Sequence, residues 1–269
     1  MTLSRRAVSE LLTAHGLAPS RALGQNFVVD PNTVRRIARL AAVGADDRVV
    51  EIGAGLGSLT LALLETGAAV TAVEVDRGLV PVLRDVVEPA GAVVVEGNAL
   101  TLDWGALLGA GPWILVANLP YNVATPLVVT LLETVPAVVR MLVMVQAEVG
   151  DRLAAGPGDQ AYGAVSVLVD NWATAEVVGR VPSTVFLPRP KVDSSLVGIA
   201  RRAAPVVDAD YPRLKELVRA GFGQRRKMLR RSLAGVTPAG ALEAVGIRPD
   251  ARAEELAVTD WARLAAWTG

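Results

Sequence analysis

The chain has 269 residues, 52% of them hydrophobic, and its 27 basic and 27 acidic residues give a formal net charge of zero. It contains no cysteine, which excludes disulfides, thiolate metal sites and a cysteine nucleophile, and its single histidine, His15, argues against a histidine metal site or triad. No apolar run approaches the ~18 residues that span a bilayer, and residues 1–10 lack the apolar core of a signal peptide, so we expect a cytosolic protein. We expect His15 to be an ordinary helix residue.

Residues 30–201 alternate between helix-like and strand-like hydrophobic patterns. The first helix is predicted to begin at Asp30-Pro31, with Asp as the N-cap and Pro as the first helical residue. Predicted strands cover 48–52, 70–74, 92–95, 113–117 and 138–145, and predicted helices cover 56–65, 79–87, 126–133, 146–153 and 161–171. This alternation predicts an α/β fold with a doubly wound, mostly parallel sheet. Two further strands, 173–181 and 195–201, would add an antiparallel edge and bring the sheet to seven strands.

The pattern after Pro205 is helical only. The predicted helices cover 211–221, 224–233, 239–245 and 259–266. We therefore predict a domain boundary near residue 203, with a first domain of residues 1–203 and a small helical domain of residues 204–269.

The charges are unevenly distributed along the chain. Residues 41–179 hold 5 basic and 16 acidic residues, whereas the rest of the chain holds 22 basic and 11 acidic ones. Within residues 211–232 there are 8 basic residues and one acidic residue. Such segregation indicates a polyanionic partner for the ends of the chain. Solvated helix faces would explain scattered charges, but they explain the run Arg225-Arg226-Lys227 with Arg230 less well.

A glycine-rich turn, Gly53-Ala54-Gly55-Leu56-Gly57, follows the first predicted strand. It would let the backbone approach a ligand closely, and Glu74, at the end of the next strand, can accept hydrogen bonds from ribose hydroxyls. This arrangement fits NAD or S-adenosylmethionine, and a tight turn without a ligand is the alternative. The Gly-x-Gly-x-Gly spacing differs from the dinucleotide pattern, and Glu51 would disfavour a pyrophosphate but suit a sulfonium ligand, so the methyl donor is favoured.

Polar and aromatic residues also follow the strand 113–117, in the sequence Asn118-Leu119-Pro120-Tyr121. Ligands of open α/β sheets bind at the carboxyl ends of the strands. The Asn118 amide and nearby carbonyls can hold an exocyclic amine, and Tyr121 can stack on a flat base. These residues therefore suggest chemistry on a nucleobase amine; a strand-end cap and a core tyrosine are the alternative. Asn98, after the third strand, could bond the cofactor's adenine or close a turn.

The chain resembles, over nearly its whole length, the ribosomal RNA adenine dimethyltransferases, which modify two adjacent adenosines near the 3′ end of small-subunit RNA. The segments that carry the resemblance are Leu23–Phe27, Glu51–Gly57, Glu74–Asp76, Asn118–Asn122, Val145–Val149, Phe186–Ser195, Phe222–Lys227 and Arg252–Leu256. Two positions depart from the family pattern, which usually has Pro where Ala54 stands and Asp where Asn98 stands.

The resemblance implies an enzyme that transfers methyl groups from S-adenosylmethionine to adenine N6 on the small ribosomal subunit and takes part in the maturation of that subunit. We also expect a monomer that requires no metal and has no membrane partner. The resemblance implies cofactor contacts from Asn26, Val28, Gly53, Glu74, Asn98 and Asn118, to which the glycine turn adds Gly55. The target adenine would be held by Asn118, Leu119 and Tyr121, with Pro120 fixing the turn. We expect Gln25–Phe27 to cover the cofactor, Phe186 to form another wall around the adenine, and RNA phosphates to contact Arg225, Arg226, Lys227 and Arg230.

Three other functions are weighed against this one. The enzymes that methylate one large-subunit adenine and confer macrolide resistance share the glycine loop, but they typically carry Ile where Leu119 stands and lack the Phe186–Ser195 segment. A non-catalytic ribosome assembly factor would use the same surfaces, although an intact Asn118–Tyr121 argues that catalysis is retained. A dehydrogenase is disfavoured by the glycine spacing and the lack of an acid–base histidine.

Overall fold

The computed structural model describes residues 2–121, 123–207 and 210–268. The chain divides into two compact units, which we call the α/β unit (Met1–Gly150 with Glu176–Ala200) and the helical unit (Asp151–Ala175 with Arg201–Gly269). The segment Asp151–Ala175, which we expected in the first domain, packs with the helical unit instead. The reason is that its apolar side chains, among them Tyr162 and Val167, are buried in the core of that unit.

The strands of the protein form one large sheet and one short ribbon. Strands β1 to β9 cover Phe27–Val28, Arg48–Ile52, Ala69–Glu74, Val93–Glu96, Trp113–Asn118, Val138–Gln146, Ala173–Val181, Phe186–Leu187 and Ser194–Arg201. The seven-stranded sheet has the order β4-β3-β2-β5-β6-β9-β7. Its first five strands are parallel and β9 is antiparallel to β6, which confirms the predicted fold class. The strand order reverses between β2 and β5, the switch point at which such sheets bind ligands.

Several helices surround the sheet, and most were predicted. In the first part of the chain, α1 to α7 cover Arg5–Ala14, Pro31–Ala41, Ser58–Leu64, Leu79–Val87, Trp104–Leu108, Ala124–Thr134 and Ala147–Ala154, with short 3-10 turns at Glu88–Ala90 and Ser183–Val185. α2 begins as predicted, because the Asp30 carboxylate accepts a hydrogen bond from the Thr33 backbone N at 2.8 Å. The single histidine, His15, is the C-cap of α1 rather than an interior helix residue. α1, α5 and the β1–β8 ribbon were not predicted.

Apolar side chains pack the α/β unit in separate clusters. One cluster joins α2 and α3 to β2, β5 and β6, and it includes Val34, Ile37 and Leu63, each at most 2% exposed. A second cluster joins α1 to α4 through Val8 and Leu79. The amphipathic helix α1 therefore belongs to the folded α/β unit, and its residue Val8 lies close to the carboxyl edge of the sheet.

The helical unit has its own core. α8 to α12 cover Ala164–Trp172, Tyr211–Gly223, Leu229–Ser232, Ala241–Ala244 and Val258–Ala266, with a 3-10 turn at Ala253–Glu255. Trp261 is completely buried, and a Cβ added to Gly221 would lie 2.6 Å from its ring, so the absence of a side chain at Gly221 lets α9 and α12 pack closely.

The prediction of one helix over 224–233 is wrong. Gln224–Arg226 form a turn and only Leu229–Ser232 are helical. The break occurs because Met228 has an extended backbone, with φ −63° and ψ 148°, and pairs with Arg252 in a β-bridge. The basic run therefore lies on a turn between two helices. None of the helices within the described ranges is long and apolar enough to cross a membrane.

Candidate active site

A cavity opens at the carboxyl ends of β2, β3 and β5 in the α/β unit. Its walls come from α1, the loop before β1, the glycine turn after β2, the end of β3 and the turn after β5. Most of the predicted cofactor and catalytic residues line it: Asn26, Val28, Gly53, Gly55, Glu74, Asn118, Leu119, Pro120 and Tyr121. The structure therefore brings together side chains that are up to 95 residues apart in the sequence.

The glycine turn is shaped by backbone that favours glycine. Gly53 and Gly55 have φ angles of +74° and +60°. A Cβ on Gly55 would lie 3.0 Å from the Phe27 ring, so Phe27 packs directly over the turn. Ala54, where the family usually has Pro, donates its backbone N–H to the Val73 carbonyl at 3.3 Å, a bond that a proline could not make. The turn therefore forms with alanine at this position.

Glu74 is buried beside the glycine turn and is held by backbone N–H groups. Its Oε2 accepts from Gly55 N at 2.7 Å, and its Oε1 accepts from Val75 N and Asp76 N at 2.9 Å each. Burial raises the pKa of Glu74, and these three hydrogen bonds oppose that rise. A carboxylate has about four acceptor positions, so about one remains for a ligand.

Glu51 is a second buried carboxyl group on the cavity wall, and it is only 2% exposed. The Thr60 hydroxyl donates to its Oε2 at 2.6 Å. Burial is the main cause that raises the pKa of Glu51 to about 8, and the nearby Glu74 adds to the effect. A cationic ligand in the cavity would favour the ionised form of Glu51.

Asn118 ends β5 with its side chain already oriented. Its Nδ2 donates to the Asn26 carbonyl at 2.9 Å, which leaves Oδ1 as the acceptor for a ligand. The Pro120 carbonyl accepts from both Val123 N and Ala124 N at the start of α6. The Leu119 carbonyl is therefore the better candidate for a second acceptor beside Asn118. The Leu119 side chain is 1% exposed, and its N–H donates to the Met144 carbonyl at 3.0 Å.

Tyr121 lines the same cavity and is partly buried. Its hydroxyl lies 3.0 Å from the Ser194 hydroxyl at the start of β9. Burial raises the pKa of Tyr121, so its phenol stays protonated at neutral pH. Reasoning from the residues did not identify Ser194, which appeared only within a segment of the family resemblance.

The loop before β1 covers one end of the cavity. The Gln25 amide donates to Asp76 Oδ2 at 2.7 Å, and its carbonyl oxygen accepts from Ser20 N at 2.7 Å. Together with Phe27 over Gly55, these bonds hold the segment Gln25–Phe27 at the cavity, where we expected a cover.

Two predicted site residues do not line the cavity. Asn98 is exposed, and its Oδ1 accepts from Leu100 N at 3.0 Å, so it closes a turn. Phe186 is 1% exposed, because β8 pairs with β1 in the register Val28↔Phe186 and the ring packs into the core below. In this conformation Phe186 offers no face to a base. The expectation that its ring forms a wall of the cavity is therefore corrected.

The four predicted phosphate-binding residues are exposed in the helical unit: Arg225, Arg226, Lys227 and Arg230. Arg225 is partly neutralised, because its Nε lies 2.8 Å from Glu254 Oε2 and its Nη2 donates to the Gln160 carbonyl. An exposed ion pair of this kind is weak and can exchange for a phosphate. Within the described part of the chain, no group of three or more His, Asp or Glu residues could hold a metal ion.

A Rossmann-like sheet with a glycine turn, a buried acid at the end of β3 and a polar turn after β5 is an architecture that nucleotide-derived cofactors fit.

Comparisons with known proteins point to one family. A model of the family described as ribosomal RNA adenine dimethylase matches residues 18–268. Two curated relatives, from Streptomyces coelicolor and Leifsonia xyli, both called ribosomal RNA small subunit methyltransferase A, are 47% and 50% identical to the chain. The alignments cover 96% and 97% of this chain and 94% and 95% of the relatives.

Solved structures share the fold. A dimethyladenosine transferase from Plasmodium falciparum has a TM-score of 0.74 at 23% identity, covering 87% of this chain and 94% of that one. The 23S rRNA methyltransferase ErmE has a TM-score of 0.69 at 27% identity, covering 89% and 98%. On the family match and the identities, this chain belongs to the ribosomal RNA adenine dimethylase family, and it is therefore a methyltransferase.

Proposed function

We propose that the chain transfers methyl groups from S-adenosylmethionine to N6 of two adjacent adenosines near the 3′ end of small-subunit ribosomal RNA. Asn118 carries this proposal, because its amide nitrogen is fixed on the Asn26 carbonyl and the residue lines a cavity that is also lined by two buried carboxyl groups. The small subunit is favoured over the large one because identity is 47–50% to the small-subunit methyltransferases and 27% to ErmE.

The residues around the cavity suit a cationic, nucleoside-bearing methyl donor. S-adenosylmethionine supplies an electrophilic methyl group on a sulfonium. Glu51 and Glu74 place carboxyl groups where a sulfonium and an ammonium would bind, and Glu74 keeps an acceptor position for one ribose hydroxyl. A Cβ on Gly53 would meet a single atom within 4 Å, the Asn118 carbonyl at 3.6 Å, so the turn leaves room for a ligand. Asn26 and Val28 line the same space.

Asn118 would act on the amine by accepting a hydrogen bond. The N6 lone pair of adenine is delocalised into the ring, so the neutral amine is a poor nucleophile. Hydrogen bonds from N6–H to Asn118 Oδ1 and to the Leu119 carbonyl favour a more tetrahedral nitrogen, whose lone pair then attacks the methyl group in line. The nitrogen–carbon bond forms as the sulfur–methyl bond breaks, S-adenosylhomocysteine is the leaving group, and the N6 proton passes to water. Positioning supplies much of the rate, and the proton leaves after transfer, when the nitrogen has become acidic. No titratable base is needed for this step.

Tyr121 would supply the stacking surface for the adenine, and Pro120 would fix the turn that presents it. Stacking of a base on an aromatic ring contributes about 1–3 kcal/mol. Such a base has to leave its own stack to reach the cavity. After one transfer N6 retains one hydrogen, so a second transfer requires Asn118 and Leu119 to accept the remaining N–H beside a methyl group.

The helical unit would bind the RNA through Arg225, Arg226, Lys227 and Arg230. Phosphate contacts position an RNA without specifying its sequence, and they make binding fall steeply with added salt. Specificity then comes from the shape of the assembling subunit. We further propose that the chain acts as a monomer in the cytoplasm, where such subunits are assembled.

The test is to incubate the protein with labelled S-adenosylmethionine and undermethylated small subunits, and then to map the modified nucleotides. We expect label on two adjacent adenosines near the 3′ end, as dimethyladenosine, and no label on large subunits. Binding to subunits should weaken with salt. Label on a large-subunit adenine, or binding that is insensitive to salt, would contradict the proposal.

A further inference from the structure

Two neighbouring serines begin β9, and both are completely buried. Successive side chains of a strand point to opposite faces, so their hydroxyls have different partners. Ser194 Oγ lies 3.0 Å from the Tyr121 hydroxyl, whereas Ser195 Oγ accepts from Arg180 and lies 3.5 Å from the Ala147 carbonyl. Only Ser194 therefore touches a residue of the candidate active site.

We infer that Ser194 is a positioning residue that holds the Tyr121 ring in the orientation needed to stack on the target adenine. The inference rests on the proposed function, in which Tyr121 is that stacking surface. A phenol hydroxyl that is removed from water needs a hydrogen-bond partner, and Ser194 provides one at the far end of the ring. The bond restricts rotation of a side chain that stands on an irregular turn, outside any helix or strand.

The rest of the turn is anchored to the same part of the sheet. Leu119 N donates to the Met144 carbonyl of β6, and Ser194 pairs with Gln146, two residues further along that strand. The turn is thus fixed to β6 at its start by a backbone bond and to β9 at its end by the hydroxyl pair. These two bonds fix the position of the turn and of the far end of the Tyr121 ring.

The position of Ser194 is fixed by hydrogen bonds to the preceding residue. The preceding residue, Asp193, accepts a hydrogen bond from Ala147 N at its backbone carbonyl, at 3.0 Å. Its side-chain Oδ1 accepts another from Ser183 N at 2.8 Å. Because Asp193 is hydrogen-bonded through both its backbone and its side chain, the backbone that carries Ser194 is held in place. Preorganisation of this kind acts on the rate and leaves binding of the methyl donor unchanged.

The matched variants are Ser194→Ala, Tyr121→Phe, their double variant, and Ser195→Ala as the control for loss of a buried serine hydroxyl. We expect Ser194→Ala and Tyr121→Phe each to lower kcat on small subunits about 2- to 12-fold, the net value of one hydrogen bond. The double variant should be no slower than either single variant, because both remove the same bond. The Kd for S-adenosylmethionine should not change, and Ser195→Ala should keep the wild-type kcat.

A second readout does not depend on activity. The chain has three tyrosines, so NMR of selectively labelled tyrosine rings is tractable, and Tyr121→Phe assigns the signal. The Ser194 bond opposes motion about χ1, the torsion that displaces the phenol oxygen, so χ1 motion is the quantity to measure. We expect a lower side-chain order parameter for Tyr121 in Ser194→Ala and no change in Ser195→Ala. An unchanged order parameter of Tyr121, or independent and additive losses of kcat in the double variant, would overturn the inference. A wild-type protein that does not methylate subunits would refute the proposed function instead, and the side-chain order of Tyr121 would still decide on Ser194.

Discussion

The two halves of the cavity are built differently. On the side of β2 and β3, Glu51 and Glu74 are 2% and 4% exposed, and their carboxyl groups are held by Thr60 and by three backbone N–H groups. On the side of β5, Asn118 and Tyr121 are only partly buried. Each of these two side chains is fixed at one polar atom, by Asn26 and Ser194 respectively, and both residues line the cavity.

The difference follows from the ligands that we propose for each half. Burying carboxyl groups costs free energy, which the backbone bonds of Glu74 offset in part and a cationic methyl donor would offset further. The adenine is neutral, so its half needs no buried charge and depends on the placement of neutral groups. The first half therefore contributes electrostatic attraction, and the second contributes geometry.

The largest expected effect comes from Asn118→Ala in the target half. Loss of one positioned polar group in an active site typically costs about 10²- to 10³-fold in kcat, and we expect a loss of that size here. Single-turnover methylation of small subunits measures it, and circular dichroism checks the fold. Asn32→Ala, at an exposed position of α2, is the control and should methylate normally. Normal transfer by Asn118→Ala would show that geometry at this residue is not what drives the reaction.

Tyr121→Ala should have the next largest effect. Loss of about 1–3 kcal/mol of stacking corresponds to roughly 5- to 150-fold in methylation of subunits. The Kd for S-adenosylmethionine, measured by calorimetry, should stay at the wild-type value because the ring belongs to the other half of the cavity. If Tyr121→Ala lost affinity for the methyl donor as much as it lost activity, the ring would contribute to both halves of the cavity, which would contradict the proposed division.

Glu51→Gln tests the charged half through pH. Burial raises the pKa of Glu51 from an ordinary value of 4.5 to about 8, so between these values the folded protein holds a proton that the unfolded chain has lost. The unfolding free energy of the ligand-free protein should therefore fall as pH rises across this window, by at most about 1.4 kcal/mol per pH unit from this group. Urea denaturation at pH 5.5, 6.5 and 7.5 measures the slope.

The variant should lose that part of the pH dependence, since glutamine does not titrate. Affinity for S-adenosylmethionine should also rise with pH towards 8 in the wild type, because ionised Glu51 attracts the cation, and this rise should be absent in Glu51→Gln. If the unfolding free energies of the two proteins had identical pH slopes, Glu51 would already be ionised without a ligand. The positive charge of the methyl donor would then not be needed to offset the burial of this carboxylate.

Much of the fold was predictable because its signals are local. The helix at Leu79–Val87 was predicted to the residue, and the strand at Arg48–Ile52 likewise, since an apolar run bounded by polar residues is informative by itself. The β1–β8 ribbon was not, because each strand has two residues and the partners lie 160 residues apart in the chain. The Gln224–Arg226 turn was missed because only the distant pairing of Met228 with Arg252 breaks the helical pattern.

The candidate site likewise contains residues that local signals identify and residues that depend on remote pairings. Gly53, Glu74 and Asn118 could be identified because each stands at the end of a predicted parallel strand, and parallel strands bring such ends together. Ser194 and Phe186 depend on pairings of strands that are remote in sequence, so nothing local showed that one serine faces Tyr121 and that the phenylalanine is buried.

Asn98→Asp should have the smallest effect and is the sharpest test of whether the charged half is preformed. Asn98 is exposed, and its oxygen already closes the turn to Leu100, a bond that an aspartate makes equally well. We expect the Kd for S-adenosylmethionine to change less than about 2-fold, since an exposed charge is screened. Asn98→Ala, which loses the turn bond, is the companion variant. A tenfold gain in affinity for Asn98→Asp would mean that the loop after β4 moves onto the ligand, and that only Glu51 and Glu74 are preorganised before binding.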